Sequence, residues 1–319
     1  MDWPSFTVTA ADGVALFVHH WRAPVPPRAV IQIAHGLAEH AGRYARLAQT
    51  LTGAGYEVYA NDHRGHGRTA SSPEEFGFFA DSDGWAKCVD DLWCVNRRIA
   101  AEHPAVPIVL LGHSMGSFLA QNFAALHGDT LAGVVLSGST GKPPATAVLG
   151  RVIARLEQLR LGPRGRSPLL DRLGFAAFNK PFEPARTPFD WLSRDSAEVD
   201  RYIADPLCGG APTTRLWIDL LDGLRLIAQP ALQAGIPKAL PIHLIAGALD
   251  PVTENTRGLD RLIAAYRAAG LTRITHIFYP GARHELFNET NRDEVTADLI
   301  EWLGGLTVES RLAARTEER

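Results

Sequence analysis

The chain has 319 residues, of which 46% are hydrophobic and 21% are charged, and its formal net charge is −3. This composition is ordinary for a globular protein with a sizeable core, and the charge does not favour binding to nucleic acid or to an anionic membrane. The chain has no apolar run of about eighteen residues and its start, MDWPSFTVTAADG, lacks a basic segment followed by an apolar one. We therefore expect neither a transmembrane helix nor a secretory signal.

The cysteines argue for a reducing compartment. Cys88, Cys94 and Cys208 are odd in number and have no CxxC spacing. Such usage predicts free thiols rather than disulfides or a zinc site. We therefore expect a cytoplasmic protein that is at most peripheral to a membrane.

The first part of the chain predicts strands and helices in alternation. A hairpin is predicted at residues 6–18, around an Asp-Gly turn. Short apolar runs predict four further strands, at residues 29–34, 56–60, 108–111 and 131–137. Amphipathic patterns predict helices at residues 43–54 and 85–102, the second of them capped by Asp81 or Ser82.

The pattern changes after Ser139. Residues 141–238 are rich in proline and arginine and contain no convincing strand. Helices are predicted there at residues 146–160, 197–203 and 213–228. The earlier pattern then resumes, with strands at residues 241–246 and 274–279 and a helix at residues 293–303.

These elements predict an α/β protein with two parts. Alternating strands and helices are typical of a mostly parallel sheet with helices on both faces. We expect this core to comprise residues 1–140 and 239–319, interrupted by an inserted helical cap at residues 141–238.

The pentapeptide GHSMG lies directly between an apolar run and a helical pattern. A serine on such a sharp strand-to-helix turn projects from the carboxyl edge of a sheet, and the turn needs residues with little or no Cβ, which Gly112 and Gly116 supply. The start of the following helix offers free N–H groups where an oxyanion would form. We therefore predict that Ser114 is the nucleophile of a serine hydrolase.

A serine nucleophile needs a base, and the base needs an orienting acid. Asp250 and His284 each follow one of the last two predicted strands. The chain order Ser, Asp, His is typical of α/β-hydrolases, and loops at the carboxyl edge of a parallel sheet converge. The competing residues lie inside predicted helices or strands: Asp219, Asp222, His243 and His276. We therefore assign the acid to Asp250 and the base to His284.

The second oxyanion donor should come from the loop after an earlier strand. His35 and Gly36 end such a strand, so we predict the backbone N–H groups of Leu37 and Met115 as the two donors. The histidines of NDHRGHGRT, residues 61–69, are interpreted as part of a hydrogen-bonded loop beside the site rather than as metal ligands. We expect no metal and no cofactor.

Five ordered motifs resemble the monoacylglycerol lipase and lysophospholipase branch of the α/β-hydrolases: HGLAEHAGRY (35–44), NDHRGHGRT (61–69), GHSMGS (112–117), the Asp250-Pro251 loop and GARHELFNE (281–289). Residues 189–208 also resemble the cap of that family. The resemblance implies the same triad and oxyanion donors, and it places Glu39 and Arg43 at the oxyanion loop and the polar end of the site. The sequence departs from the family pattern at Ala38, where glycine is usual, and at Thr69, where serine is usual.

The cap is expected to determine the substrate. Its large apolar side chains either line an acyl channel or form the core of the cap itself: Phe175, Phe178, Phe182, Phe189, Trp191, Leu192 and Trp217. We predict substrate contacts for Phe178, Phe189 and Trp191. An apolar cap over a serine site fits a single-chain lipid ester, with transient membrane contact through the cap, and the resemblance supplies the head group of a monoacylglycerol or lysophospholipid.

Two other activities on the same fold stay open. An aminopeptidase would need carboxylates that face the substrate amine, and the cap offers five: Glu183, Asp190, Asp195, Glu198 and Asp205. An acyltransferase would share the triad and differ only in its products. An epoxide hydrolase or dehalogenase is disfavoured because Ser114 occupies the nucleophile position, and a non-catalytic module is disfavoured because no triad member is missing.

Overall fold

The computed structural model describes residues 4–143 and 146–317. Its centre is one sheet, formed by β1 (Ser5–Thr9), β2 (Ala15–Trp21), β3 (Val30–Ala34), β4 (Glu57–Asn61), β5 (Ile108–His113), β6 (Gly133–Ser137), β7 (Ile242–Gly247) and β8 (Ile274–Tyr279). In space the order is β1-β2-β4-β3-β5-β6-β7-β8. Strand β2 runs antiparallel to both of its neighbours, and the other pairs are parallel. This confirms the predicted α/β class with a mostly parallel sheet.

Helices cover both faces of the sheet. The described helices are α1 (Ala45–Gly53), α2 (Gly84–Glu102), α3 (Met115–His127), α4 (Thr146–Leu161), α5 (Pro168–Leu173), α6 (Phe175–Asn179), α7 (Ser196–Ala204), α8 (Thr214–Ile227), α9 (Pro230–Ala234), α10 (Arg257–Ala268) and α11 (Arg292–Glu317). Apolar side chains of α2, α3 and α10 pack on one face of the sheet. Those of α1 and α11 pack on the other face. The layering is that of the predicted α/β-hydrolase fold.

The register of the central strands aligns their carboxyl ends. Strand β3 pairs with β5 so that Ala34 lies opposite Gly112, and β5 pairs with β6 so that His113 lies opposite Ser137. These strands are buried along their whole length, as expected of parallel strands covered on both faces. The loops that leave their carboxyl ends therefore meet at one edge of the sheet, and Ser114 lies there.

The segment between β6 and β7 contains helices α4 to α9. Apart from a single bridge between Arg166 and Thr213, the regular elements described there are all helical. Helix α8 joins this insert to the core, since Gly223 packs so closely on Trp85 of α2 that a Cβ would lie 2.3 Å from the indole ring. No described helix has the length and apolar character needed to cross a membrane.

The helix ends and the short helices differ from the sequence-based expectation. Helix α2 begins after Asp83, whose φ is 55° and whose side chain makes no capping bond, so neither Asp81 nor Ser82 caps it. Helices α5, α6 and α9 were not expected, because five or six residues are too few to show a helical period. The N-terminal end of α5 depends on a local bond, in which Ser167 accepts from the Leu170 N–H at 3.2 Å.

Candidate active site

Ser114 lies in the sharp turn between β5 and α3. Its φ of 51° and ψ of −122° are rare for a residue with a side chain, so the surrounding structure must hold the turn in place. Its N–H donates to the carbonyl of Ser137 at 2.9 Å, and its carbonyl accepts from the Ser117 hydroxyl at 2.6 Å. Both sides of the turn are therefore tied to neighbouring residues, and Ser114 is left facing a cavity.

The turn is packed too tightly for side chains at its two glycines. A Cβ on Gly116 would lie 2.0 Å from the carbonyl oxygen of Ala34, and one on Gly112 would lie 2.4 Å from the carbonyl oxygen of Gly116. Both positions therefore require glycine, as the sequence predicted. The close approach also brings the start of α3 against the loop that follows β3.

His284 and Asp250 form a buried pair in the loops after β8 and β7. The imidazole Nδ1 lies 2.9 Å from Asp250 Oδ2, and the two residues are 1% and 0% exposed. The other carboxylate oxygen accepts from the Val252 N–H at 2.9 Å. Gly138, with φ 58°, makes room for the pair, because a Cβ there would lie 2.8 Å from His284 Cε1. The carboxylate thus keeps the proton on Nδ1 and leaves Nε2 free to act as a base.

The surroundings of His284 raise its pKa above the usual value. Burial lowers this pKa, but attraction and hydrogen bonding to Asp250 outweigh burial, and the charges of Glu285 and Glu39 add to them. The neighbouring ring of His113 lies 4.7 Å away between centroids. Burial and the charge of His284 lower the pKa of His113 to about 4, so His113 is neutral near neutral pH.

The Ser114 hydroxyl is not hydrogen-bonded to His284 among the contacts of the described residues. Both residues line the same cavity. Bonds between nucleophile and base are often long before substrate binds, so the lack of this bond does not argue against Ser114 and His284 acting together.

The predicted oxyanion donors also reach the cavity. Leu37 lies in the β3 loop, residues 35–40, and Met115 is the first residue of α3, where a backbone N–H has no acceptor within its own helix. Both line the cavity beside Ser114. Glu39 steadies the β3 loop by accepting the Gly36 N–H at 2.6 Å.

A buried ionic network joins the β3 loop to the His284 loop, residues 280–289. Glu39 accepts from Arg43 Nη1 at 2.8 Å and from the Tyr44 hydroxyl at 2.9 Å. Arg43 also donates two hydrogen bonds of 2.6 Å each to the carboxylate of Glu285, one from Nη1 and one from Nη2. Burial raises the pKa of Glu285, but the Arg43 guanidinium more than offsets burial, so that pKa lies well below its usual range. Two loops that carry predicted site residues and are distant in sequence are therefore held together by one arginine.

Sequence reasoning missed Glu285. The only signal in the chain was a charged residue directly after His284 in the motif HELFNE. Its partner Arg43 lies 242 residues away, a separation that sequence spacing cannot reveal. Arg43 itself lies behind the two carboxylates and is not among the described residues of the cavity wall, whereas Glu39 is.

The cavity above Ser114 has a volume of about 770 Å³ and is formed by both the core and the insert. Six of the seven apolar cap residues considered from the sequence line it: Phe175, Phe178, Phe189, Trp191, Leu192 and Trp217. Trp191 reaches the catalytic end, with its ring 5.0 Å from that of His284. Phe182 instead packs against the Arg283 guanidinium at 4.2 Å. Several of these rings also contact each other, so they serve as cap core and as cavity wall.

The five cap carboxylates considered for a peptidase lie elsewhere. Asp195 pairs with Arg292, Glu198 with Arg46, and Asp205 with His40, while Asp190 accepts from the Arg186 N–H and Glu183 is exposed. The acidic residues that do line the cavity, within the ranges described, are Glu39, Asp171, Glu254 and Glu285. Three of the five carboxylates thus attach the cap to the core, and the cap carboxylate on the described cavity wall is Asp171, which was not among those considered from the sequence.

The histidine-rich loop at residues 61–69 is held by bonds to the backbone. His63 Nε2 lies 3.2 Å from the carbonyl of His35, and His66 Nδ1 lies 3.1 Å from the carbonyl of Arg64. Burial lowers the pKa of His63 to about 3 and that of His66 to about 4, so both are neutral. The Thr69 hydroxyl donates to the Asp62 carbonyl and accepts from the Phe17 N–H, which a serine hydroxyl would also do.

Comparison with known proteins gives concordant matches over most of the chain. A family model described as serine aminopeptidase, S33, matches residues 25–291. A monoacylglycerol lipase of Mycolicibacterium smegmatis is 29% identical over 300 residues, 91% of this chain and 93% of that protein. A monoglyceride lipase homolog of monkeypox virus is 31% identical over 298 residues, 92% of this chain and 95% of that protein. Among solved structures, a carboxyl esterase from Bacillus coagulans in complex with glycerol is similar with a TM-score of 0.88 and 28% identity, covering 96% of this chain and 99% of that one.

Proposed function

The chain belongs to the serine aminopeptidase S33 family of α/β-hydrolases, within the monoacylglycerol lipase branch, and from this premise we propose that it hydrolyses single-chain lipid esters, monoacylglycerols above all. It is a serine carboxylic-ester hydrolase. The observation that carries the proposal is the large cavity, lined mainly by cap aromatic and aliphatic side chains, that opens directly above Ser114 and the buried pair of His284 and Asp250.

The proposed cycle follows from the roles of these groups. His284 Nε2 takes the proton of the Ser114 hydroxyl as its oxygen attacks the ester carbonyl, and Asp250 stabilises the charged imidazole. The tetrahedral oxyanion accepts from the N–H groups of Leu37 and Met115, and losing one such donor raises a barrier by about 3 kcal/mol. The proton passes to the departing alcohol, and water then hydrolyses the acyl-enzyme with His284 again as base. The cycle uses no cofactor.

The polar end of the cavity favours a neutral head group. Glu39 and Glu285 line the wall beside the β3 loop, and Arg43 balances only one of their two charges. Carboxylates accept hydrogen bonds from the hydroxyls of glycerol, but they repel the phosphate of a lysophospholipid. Monoacylglycerols are therefore proposed ahead of lysophospholipids.

A substrate panel tests this proposal. Turnover of monoacylglycerols, lysophospholipids, aminoacyl anilides and a chain-length series of p-nitrophenyl esters would be compared for the unaltered protein and for Ser114→Ala. We expect monoacylglycerols to be cleaved fastest, anilides slowest, and the variant to be inactive on all of them. Faster cleavage of anilides would establish a peptidase instead, and faster cleavage of lysophospholipids would contradict the argument from the two carboxylates.

Product identity tests the acyltransferase alternative. The same acyl-enzyme would pass its chain to an added alcohol rather than to water. We expect free fatty acid as the main product when glycerol is added at moderate concentration. If newly formed esters predominate, the main activity is acyl transfer and not hydrolysis.

The proposed location is the cytoplasm, with transient contact between the cap and a membrane. Monoacylglycerols reside in bilayers and other lipid aggregates, so the mouth of the cavity must meet a lipid surface for the substrate to enter.

A further inference from the structure

Three side chains of the kinds that bind metals meet at the amino edge of the parallel strands, opposite the edge that carries Ser114. Glu57 is the first residue of β4. His20 lies in the neighbouring strand β2, and His103 directly follows the last residue of α2. The ligand atoms of these three residues all lie within 4.8 Å of one another. The fold therefore brings two imidazoles and one carboxylate, from three separate elements, to one point.

Glu57 is a buried carboxylate with no lysine or arginine at ion-pair distance among the residues that the structure describes. Its Oε1 lies 2.6 Å from His20 Nε2 and 4.0 Å from His103 Nε2, and its Oε2 accepts from the Ala23 N–H at 2.7 Å. Burial lowers the pKa of His20, which favours the neutral imidazole that binds metal ions. Buried charges in proteins are paired or coordinate metals, and this carboxylate faces two metal-binding rings.

The donor set fits Zn²⁺. Imidazole and carboxylate ligands bind zinc at about 2.0–2.2 Å, so the ligand atoms of a tetrahedral site lie about 3.4 Å apart. The contacts of Glu57 Oε1 with His20 and His103 lie on either side of that separation, so side-chain shifts of less than about 1 Å would admit the ion. The His103 side chain is 17% exposed, which leaves an entry path and room for water as the fourth ligand.

Tyr59 supports both rings of the cluster. Its ring stacks on that of His20 with 4.0 Å between centroids. Its hydroxyl lies 2.8 Å from His103 Nε2 and donates to Glu102 at 2.8 Å. Glu102 accepts in turn from Arg98 Nε. Such outer partners hold ligands in place, so the imidazoles are positioned before any ion arrives.

We propose that His20, Glu57 and His103 bind one structural Zn²⁺ ion. The ion would join β2, β4 and the end of α2, and it would stabilise the folded chain because the three ligands come together only there. It would lie roughly one length of β5, about 17 Å, from the edge that carries Ser114, so ester hydrolysis should not depend on it. The expectation of no metal drew on the cysteines and on the histidines of residues 61–69, and His20 and His103 belong to neither group.

A second set of possible ligands is less suitable. The ligand atoms of His40, Asp205 and Cys208 also lie within 4.8 Å of one another. However, His40 Nδ1 accepts the Gly42 N–H at 3.2 Å, so Nε2 carries the ring proton and donates it to Asp205 at 2.9 Å. Burial raises the pKa of the Cys208 thiol, which disfavours the thiolate that zinc requires. We therefore prefer the cluster around Glu57.

Metal binding by the full-length protein, first stripped of metal with a chelator, tests this proposal. After addition of zinc and desalting, we expect one zinc ion per chain by elemental analysis and a higher Tm than that of the stripped protein. X-ray absorption at the zinc edge should show nitrogen and oxygen ligands at about 2.0–2.2 Å and no sulfur at about 2.3 Å.

Two variants address the ligands. Glu57→Gln keeps the size of the side chain but removes the anionic ligand, and His103→Gln removes a partly exposed imidazole. Each should lower the affinity for zinc, measured by titration calorimetry, by at least about 100-fold, since even outer partners of zinc ligands contribute about 10–100-fold. The Tm without zinc reports any loss of folding separately. The matched controls His276→Gln and Glu301→Gln, at exposed positions outside the cluster, should keep full affinity.

Four results would overturn the proposal. Failure of the unaltered protein to retain zinc would show that the cluster is a hydrogen-bonded network only, and unchanged affinity in Glu57→Gln and His103→Gln would remove the ligands. A sulfur ligand, or loss of binding in the double variant His40→Gln and Cys208→Ser, would place the ion at the second set. Hydrolysis of p-nitrophenyl butyrate is measured with and without zinc, and inhibition that follows zinc occupancy would place the ion at the edge that carries Ser114. The metal readouts do not use turnover, so they stand or fall separately from the proposed function.

Discussion

Two parts of the insert relate to the core in contrasting ways. Residues 189–208, the anchor segment, are held by buried charges and backbone hydrogen bonds. The exposed apolar side of α4 and α5, here called the entrance face, instead carries side chains that contact mainly solvent, among them Val148, Leu156 and Leu159. The carboxylate of Glu289, which is 0% exposed, accepts a hydrogen bond from Arg194 Nε at 2.9 Å. The Glu285 N–H donates to the Leu192 carbonyl at 2.8 Å. At the entrance face, by contrast, Leu159 is 85% exposed.

The two parts of the cap differ in how precisely their positions must be held. The anchor segment touches the loops that carry the predicted base and oxyanion donor: Tyr202 donates to the Ala38 carbonyl at 3.0 Å, and Trp191 packs on His284. Geometry at these loops must hold within fractions of an ångström for catalysis. The entrance face takes part in none of these contacts and is exposed to solvent. Substitutions on the fixed side should therefore have large effects, and those on the open side small effects.

The largest effect is expected at Asp250. Asp250→Asn should reduce kcat by about 10³–10⁴-fold, because an amide cannot hold His284 in the productive tautomer or stabilise its positive charge. The measurement is steady-state turnover of a soluble p-nitrophenyl ester. Asp222→Asn, which alters a cap carboxylate paired with Arg151, serves as control and should retain near-normal kcat. A loss below tenfold for Asp250→Asn would contradict the assignment.

Arg43 should give the largest change in stability. Arg43→Leu leaves Glu39 and Glu285 buried without their cation, and breaking such a pair lowers the free energy of unfolding by about 3–5 kcal/mol. Urea denaturation measures this change. Arg43→Lys keeps the charge but loses the bidentate contact. Its free energy of unfolding should therefore lie between those of the unaltered protein and Arg43→Leu. A loss below about 1 kcal/mol would mean that Arg43 does not hold the loops together.

Glu289 tests the anchor segment itself. Its carboxylate accepts from the backbone N–H groups of Arg283 at 2.8 Å and Arg194 at 3.1 Å. Oε1 accepts both of these bonds and Oε2 accepts from Arg194 Nε, so the NH2 group of Glu289→Gln must face donors on one side or the other. The variant should therefore lower the free energy of unfolding by about 1–3 kcal/mol. Glu294→Gln, on the exposed side of the same region, should change it by less than about 0.5 kcal/mol. Equal effects of the two variants would show that the anchor segment is not fixed by buried bonds.

The pH profile tests the electrostatics at the base. In the proposed cycle only the neutral form of His284 accepts the Ser114 proton. Because the pKa of His284 is raised, kcat/KM should fall on acidification with a midpoint above the usual histidine value of about 6.5. The fall should approach tenfold per pH unit below that midpoint. Residual activity of Asp250→Asn should show its midpoint at lower pH, because the anion that raises the pKa is gone. A midpoint that does not move would exclude Asp250 as the cause.

The smallest effect on folding is expected at the entrance face. Leu159→Ser should change the free energy of unfolding by less than about 0.5 kcal/mol and leave turnover of a soluble ester unchanged, since the side chain contacts mainly solvent. Leu170→Ala, at a buried leucine of α5, should cost about 2–5 kcal/mol. A large loss for Leu159→Ser would show that the entrance face is covered in the folded protein.

The sheet and the edge that carries Ser114 were predictable from sequence because they depend on local patterns. Buried parallel strands appear as short apolar runs, and the tight turn at Ser114 needs Gly112 and Gly116 for steric reasons. The sequence predicted that Asp250 and His284 follow the last two strands, and they do, 2.9 Å apart.

The remaining features depend on contacts between distant parts of the chain. The grip of Arg43 on Glu285 joins residues 242 apart, and no spacing in the sequence signals it. The short helices α5, α6 and α9 are stabilised by packing rather than by a visible period. Whether a cap ring such as Phe182 or Phe189 lines the cavity depends on its packing partner, here Arg283 for Phe182.

Covalent labelling tests most directly whether Ser114 is the nucleophile. The unaltered protein and Ser114→Ala would be treated with a fluorophosphonate, and their masses would be measured by intact-protein mass spectrometry. Ser139→Ala serves as the control, since Ser139 is a neighbouring buried serine. We expect one adduct, located on Ser114 by peptide mapping, which is present in the unaltered protein and in the control and absent from Ser114→Ala. Labelling of Ser114→Ala at the same rate, or an adduct on another residue, would contradict it.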